Sequence, residues 1–486
     1  MKHQSLPRTC RGIVVCVVGL TLVAGACSSD SKSDSTAAPT TTAAAAATTA
    51  AAATTEAASA TTEAAADTTE AATETTETAS SETETTEATE SSAAETTDAA
   101  ATADKSPILI GAMIDQTGPS AGDGPTVPKV IEAWGDYING NGGINGHPVE
   151  FDIQDTAGDA AKAQSEVTDL ASKGAVLLLL SSPSTESSMA DALKGTGIAV
   201  MGVGYNPAVW GGNIEAFKLA CSTDPGAAVA CAIPNAFTVS TTFGAVVDEQ
   251  VIGAKAAGAT KLATAACAEV DSCSQAAPVF AADAAALGLT DTGVVKVSST
   301  ASDYTAECIK FVQDGVDFVQ ISAAGTVGAK MWSDCQDQGY TGIFGASAGT
   351  VSGDLIKVDG ITLAGGIHGF PWWVDDAPVQ QYRDAMDAAG VSADEYSSPT
   401  NTAMWSVLQL FAKANASLGD DVTKEAVIAG LYTVKDETLD GLVPPITFTE
   451  GQLASNRPCF WPYKLEDGEF SNPLGGLKYD CYPPES

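Results

Sequence analysis

The chain has 486 residues with 61 acidic and 23 basic side chains, a formal charge of −38 that repels polyanions and argues against nucleic acid as a partner. Hydrophobic residues make up 44% of it, enough for a large core if they are concentrated. They are concentrated in the last of three zones.

Residues 1–27 carry Lys2, Arg8 and Arg11, an apolar run from Ile13 to Val23, and Ala24-Gly25-Ala26-Cys27, the layout of an export signal. The run is too short to span a bilayer, which needs about 20 residues. Cys27, after small residues and before Ser28-Ser29-Asp30, resembles the lipobox cysteine that bacteria acylate, so the expected product is a lipoprotein on the outer face of the cytoplasmic membrane. Ala24 and Ala26 also suit ordinary signal peptidase, which would release a secreted protein. Residues 28–104 consist almost wholly of Ala, Thr, Glu, Ser and Asp, with no aromatic residue, Ile, Leu or Val, so they build no core and are expected to form a disordered linker. Its 15 acidic groups against the single base Lys32 repel one another, and as a coil it would average roughly 45 to 50 Å end to end. Such a tether holds a domain off a membrane, with its threonines open to O-glycosylation.

From Ile108 onward, short β-rich runs alternate with segments of helical period, the pattern of parallel sheets with crossover helices. Ile108–Ile114 reads as a strand; Val127, Val130, Ile131, Trp134 and Ile138 as a helix, stopped by Asn139-Gly140-Asn141-Gly142-Gly143; 149–154 as a strand, 160–172 as a helix and 175–180 as a buried strand. The alternation resumes with helices at 242–257, 276–287, 302–313 and 327–338 and strands at 260–266, 293–298 and 316–321. A single core rarely grows past about 250 to 300 residues, so the fold class is α/β with two doubly wound, Rossmann-like lobes.

Residues 105–486 hold 19 basic and 46 acidic side chains and eight cysteines. In an exported chain these cysteines suggest four disulfides, and neighbouring couples are Cys221/Cys231, Cys267/Cys273, Cys308/Cys335 and Cys459/Cys481. No CxxC occurs, and His147 and His368 stand far from any cysteine cluster, so no metal is expected. No phosphate-binding loop or other cofactor motif appears either, and no cofactor is expected.

Ile110-Gly111-Ala112-Met113, Thr117-Gly118-Pro119, Tyr137-Ile138-Asn139, Gly142-Gly143-Ile144-Asn145-Gly146, then Asp155 and Asp159-Ala160-Ala161-Lys162-Ala163 closely resemble the leucine/isoleucine/valine-binding family of type I periplasmic binding proteins, through about residue 415. The resemblance implies two lobes joined by three hinge crossings, an N-lobe at about 106–235 and 368–450 and a C-lobe at about 236–367 with part of the tail. It implies a monomer that closes on a small polar solute (amino acid, carboxylate or amide) and passes it to an ABC permease. An extracellular sensor feeding a signalling partner would use the same pocket.

By the same resemblance the solute sits among three loops. The Ser-rich turn after the third strand offers Ser182, Ser184 and Thr185 to a carboxylate, although one of these hydroxyls can simply cap the next helix. The second loop offers Gly204 and Tyr205, whose ring can stack on a solute or fill space. The C-lobe offers Ala324 and Ser347, both small where amino-acid binders usually have an aromatic and an acid. Unless Asp115, Asp123 or Glu269 supplies that acid, an ordinary α-amino acid is disfavoured. Trp372 and Trp373 stand at a hinge crossing, where an indole can cover a solute or pack in the core. Gly345-Ala346-Ser347-Ala348-Gly349 also spells G-x-S-x-G, but the nearby base His368 and acids Asp354 or Asp359 crowd within 14 residues, unlike the spacing of serine hydrolases. Hydrolysis at Ser347 therefore stays a remote alternative, and no enzyme is expected.

Overall fold

A computed structural model describes residues 105–118, 124–204, 207–210, 233, 235–239, 245–268, 277–323, 325–346, 351, 355–450 and 459–481. The export signal with Cys27, the linker, Asp123, Tyr205, Cys221, Cys231, Glu269, Cys273, Ala324, Ser347 and Asp354 lie outside the described residues.

The first sheet begins with β1 (Ile108–Ile114), every residue of which except Leu109 is buried. α1 (Val127–Gly140) comes next, with a proline in its first turn, and buries Val127, Val130, Ile131 and Trp134 along one face. The Asn139 amide brackets Val149, donating to its carbonyl at 2.9 Å and accepting from its N–H at 2.8 Å, which fixes where β2 (Val149–Asp155) starts. Between them Gly143 has φ +69°, and a Cβ there would lie 2.1 Å from the His147 carbonyl oxygen, so only glycine fits this turn. α2 (Ala160–Ser172) is capped by Asp159, which accepts from the N–H groups of Ala161 and Lys162 at 2.8 and 2.9 Å. The sheet continues through β3 (Leu177–Ser181), buried throughout, α3 (Glu186–Thr196), β4 (Ala199–Gly202), the short α4 (Pro207–Trp210) and β5 (Ala236–Thr238). Its strands are parallel in the order β2-β1-β3-β4-β5.

The second sheet repeats this plan. It is built from α5 (Ala245–Ala256), β6 (Lys261–Cys267), α6 (Ala277–Ala286), β7 (Thr290–Val297), α7 (Thr305–Asp314), β8 (Phe318–Ser322), α8 (Gly325–Asp337), β9 (Ile343–Gly345) and β10 (Leu363–Ile367) in turn. The chain then adds α9 (Ala377–Ala388), α10 (Ala393–Tyr396), α11 (Pro399–Ala414) and α12 (Lys424–Leu431), with α9 and α11 packed on α1 and α11 and α12 on β4 of the first sheet. It returns as β11 (Cys459–Glu466), β12 (Glu469–Ser471) and β13 (Asp480–Cys481). The second sheet runs β12-β11-β10-β9-β8-β6-β7, parallel from β10 to β7 and antiparallel where β11 joins β10. The chain thus passes between the sheets three times: after β5, after β10 and before β11.

The tail, beyond the motifs that carry the resemblance, is a structural strand of this sheet. β11 sets Leu465 opposite Leu363 and Trp461 opposite Ile367, buries Trp461 and Tyr463, and donates from the Tyr463 hydroxyl to the Ala346 carbonyl at 2.7 Å. Of the paired cysteines, Cys308–Cys335 joins α7 to α8 and Cys459–Cys481 joins β11 to β13. Cys267 ends β6, and its expected partner is not among the described residues. Trp372 and Trp373 pack edge to face at 4.7 Å, and Trp373 stacks on Phe470 at 4.8 Å, so the hinge indoles are held against the tail.

Two features give checks on this packing. α5 approaches β10 so closely that a Cβ on Gly253 would lie 2.1 Å from the Gly365 carbonyl carbon. Gly253→Ala is expected to cost about 1–3 kcal/mol through forced backbone shifts, read as a lower urea midpoint at unchanged slope; an unmoved midpoint would refute the contact. Removing the Cys308–Cys335 bridge by paired alanine substitution, across a sequence separation of 27, should cost about 3 kcal/mol, and equal stability of the oxidised and variant chains would count against it.

Candidate functional site

In each sheet the strand order reverses once: between β1 and β3 in the first, and between β6 and β8 in the second. At such a reversal the loops leaving the two central strands diverge to opposite faces and open a crevice at their carboxyl ends. The first crevice is lined by the loop leaving β1, Asp115 to Gly118, and by the turn leaving β3, Ser182 to Thr185. The second is lined by the ends of β6 and β8, Cys267 and Ser322.

At the first crevice Asp115, Thr156, Ser182 and Thr185 are buried, while Pro183 and Ser184 are exposed. The Asp115 carboxylate accepts from the Ser184 hydroxyl at 2.6 Å, from the Ser184 N–H at 3.3 Å, and from the hydroxyls of Ser182 and Thr156. Ser182 and Thr156 oxygens lie 2.9 Å apart, and the Thr185 hydroxyl bonds to Ser182. Thr185 precedes α3 without a side-chain cap bond; its hydroxyl is turned to Ser182 instead. Two of the three hydroxyls that a sequence reading offers to a solute carboxylate, those of Ser182 and Ser184, therefore face a carboxylate of the chain itself.

A second carboxylate organises the loop after β1. Asp155 accepts from the N–H groups of Gln116 (2.9 Å), Thr117 (3.1 Å) and Ala157 (2.9 Å), and from the Thr117 hydroxyl at 2.6 Å. Burial pushes its pKa up, but the bonds from Thr117, Ala157 and Gln116 outweigh this and hold it below the ordinary value. Beyond the turn, the fully buried Glu186 accepts from the Trp210 indole at 3.0 Å, tying α3 to α4. Gly204 is buried just after β4. Thr156 and Glu186 escape a sequence reading because nothing local marks a Thr after a strand or a Glu at a helix start as buried.

The second sheet carries its own buried polar groups. Thr264 donates to Gln320 at 3.1 Å across β6 and β8, and Asp248 and Asp283 lie buried on α5 and α6. His368, just past β10, lies 4.0 Å from Glu249, and burial lowers its pKa to about 4, so it stands neutral at pH 7. A cavity of about 730 Å³ between α1 and α9, lined by Asp136, Tyr137, Gln380 and Asp384, sits some ten residues down α1 from the crevice end, roughly 15 Å along the axis.

These crevices set the geometry of a two-lobed binding protein, and the profile of the periplasmic binding protein family matches residues 107–469. The chain belongs to that family. Its members are extracytoplasmic proteins that bind small molecules, and no helix among the described residues is long and apolar enough to cross a membrane. The fold is shared with a solute-binding protein of an ABC transporter from R. palustris in complex with benzoate (TM-score 0.56, 16% identity, 78% of this chain and 98% of that one). It is shared too with a fatty acid ABC transporter substrate-binding protein from Thermomonospora curvata (0.53, 18%, 76% and 91%) and an extracellular ligand-binding receptor from Rhodopseudomonas palustris HaA2 (0.53, 17%, 75% and 99%). No curated protein matches.

The buried acids of this binding protein make its stability depend on pH. Desolvation first, then the hydrogen bond and charge of Asp283, raise the Asp248 pKa well above the carboxylate range. The native state therefore keeps a proton that the unfolded chain releases above pH ~4. This contribution to stability is full below that pH and is lost as pH rises through the raised native pKa. Between about pH 7 and 9, above the range in which His368 titrates in the unfolded chain, the urea midpoint should fall for the wild type and fall less for Asp248→Asn; parallel curves would refute the retained proton.

Proposed function

We propose that this chain is the solute receptor of an ABC importer, held by a lipid on Cys27 at the outer face of the cytoplasmic membrane and lifted from it by the linker of residues 28–104. Its lobes close on a small polar solute, an amino acid, carboxylate or amide, and the closed form engages the permease. The observation that carries this reading is the pair of reversed sheets joined by three passages of the chain, which sets two crevices on one hinge. Ser182, Ser184, Thr185, Gly204 and Tyr205 belong to the first half of the cleft in this reading, and Ala324 and Ser347 to the second. Asp123 would join them from the loop before α1. Membership of a binding-protein family supports the reading, as do similar folds in transporter-associated proteins.

Thermal-shift screening of the full chain against amino acids, short carboxylates, amides and amines should find a selective rise of several degrees. The stabilising compound should also shrink the radius of gyration in solution scattering. Stabilisation without compaction would remove the hinge-closure mechanism.

A further inference from the structure

Two exposed hydroxyls stand at the first crevice, and each has spent its proton inward. Ser184 donates to Asp115 and Thr117 to Asp155, both at 2.6 Å, the length of a charge-assisted O–H···O⁻ bond. A hydroxyl carries one proton, so what Ser184 and Thr117 can still turn to solvent is oxygen lone pairs. The Ser184 N–H is also directed at Asp115, and the Ser182 hydroxyl is buried against it. A turn rich in donors by composition has become an edge rich in acceptors. Its place is set independently by the strand reversal between β1 and β3, where the fold puts a ligand.

We propose that the N-terminal half of the cleft recognises a hydrogen-bond donor, an ammonium or an amide N–H, rather than a carboxylate, and that Asp115 is the residue that sets this preference. The inference rests on the solute-binding reading and narrows its substrate class. A solute carboxylate at this turn would meet lone pairs instead of protons and, one hydrogen-bond length beyond Ser184, would stand about 5 Å from the Asp115 charge. At an effective dielectric near 20 that repulsion alone weakens binding by roughly two powers of ten. Lys162 stands at the same edge, but its ammonium donates to the Asp155 backbone carbonyl and lies 3.6 Å from Glu166, which offsets its charge.

The test is calorimetric titration of the full chain with matched compounds that share a body and differ in one group: benzoate, benzamide and benzylamine, then hexanoate, hexanamide and hexylamine. In a set that binds, the amide or amine should bind at least about tenfold more tightly than the carboxylate. Asp115→Asn, which keeps the shape and removes the charge, should strengthen carboxylate binding by about tenfold or more. Ser184→Ala removes the exposed oxygen together with one of the bonds to Asp115, leaving the Ser184 N–H and the Ser182 and Thr156 hydroxyls on that carboxylate, and should narrow the gap from the other side, by weakening the amide or amine; it carries the test if the Asp115 variant does not fold. A carboxylate that binds best, with neither variant changing its affinity, overturns the inference and leaves solute binding standing. A panel in which nothing binds and nothing compacts the chain overturns the solute-binding reading itself.

Discussion

The Asp115 carboxylate ties together the ends of three parallel strands. It stands directly after β1, and its acceptors take the Thr156 hydroxyl after β2 and the Ser182 and Ser184 hydroxyls after β3. A carboxylate with almost no exposure is costly to bury unless its acceptor sites are filled, and here side-chain and backbone donors converge on it. The same bonds fix the direction of the loops that leave β1 and β3. The edge of the first crevice thus inherits its shape and its polarity from one buried charge.

Other carboxylates fix loops and helix starts in the first sheet. Asp155 holds the first residues of the β1–α1 loop, and Glu186 joins the start of α3 to Trp210. In the second sheet, Asp248, Glu249 and Gln250 are buried in the first turns of α5, where that helix presses on β10. They are buried beside the strand from which the chain passes back to the first sheet. The hinge itself is stiffened locally. Gly369 fits against the start of α11 with no room for a side chain, its would-be Cβ 2.2 Å from the Thr402 hydroxyl, and Phe470 anchors the two hinge indoles.

Several elements were legible because their signals are local. The apolar spacing of α1, the unbroken apolar run of β3, the Asp159 cap and the glycine turn at 142–143 each arise from residues within a few positions of one another. Strand and helix limits read from the sequence fall within about three residues of those observed, since propensity blurs at element ends. The couples Cys308/Cys335 and Cys459/Cys481 were also within reach, as sequence neighbours, although eight cysteines allow about 105 pairings in principle. The long-range pairing of β11 with β10 was not, because some ninety residues and four helices lie between the two strands.

The sequence by itself determined an acidic α/β chain with a polar N-terminal stretch that carries no core residues, two doubly wound lobes and a serine-rich turn after the third strand. Local patterning and family motifs are enough for that. Only the tertiary structure decided what the turn faces, because the proton of Ser184 is directed by Asp115, 69 positions earlier, and that of Thr117 by Asp155, 38 positions later. Whether a hydroxyl acts as donor or acceptor depends on its nearest partner in space, and that partner is set by which strands lie side by side.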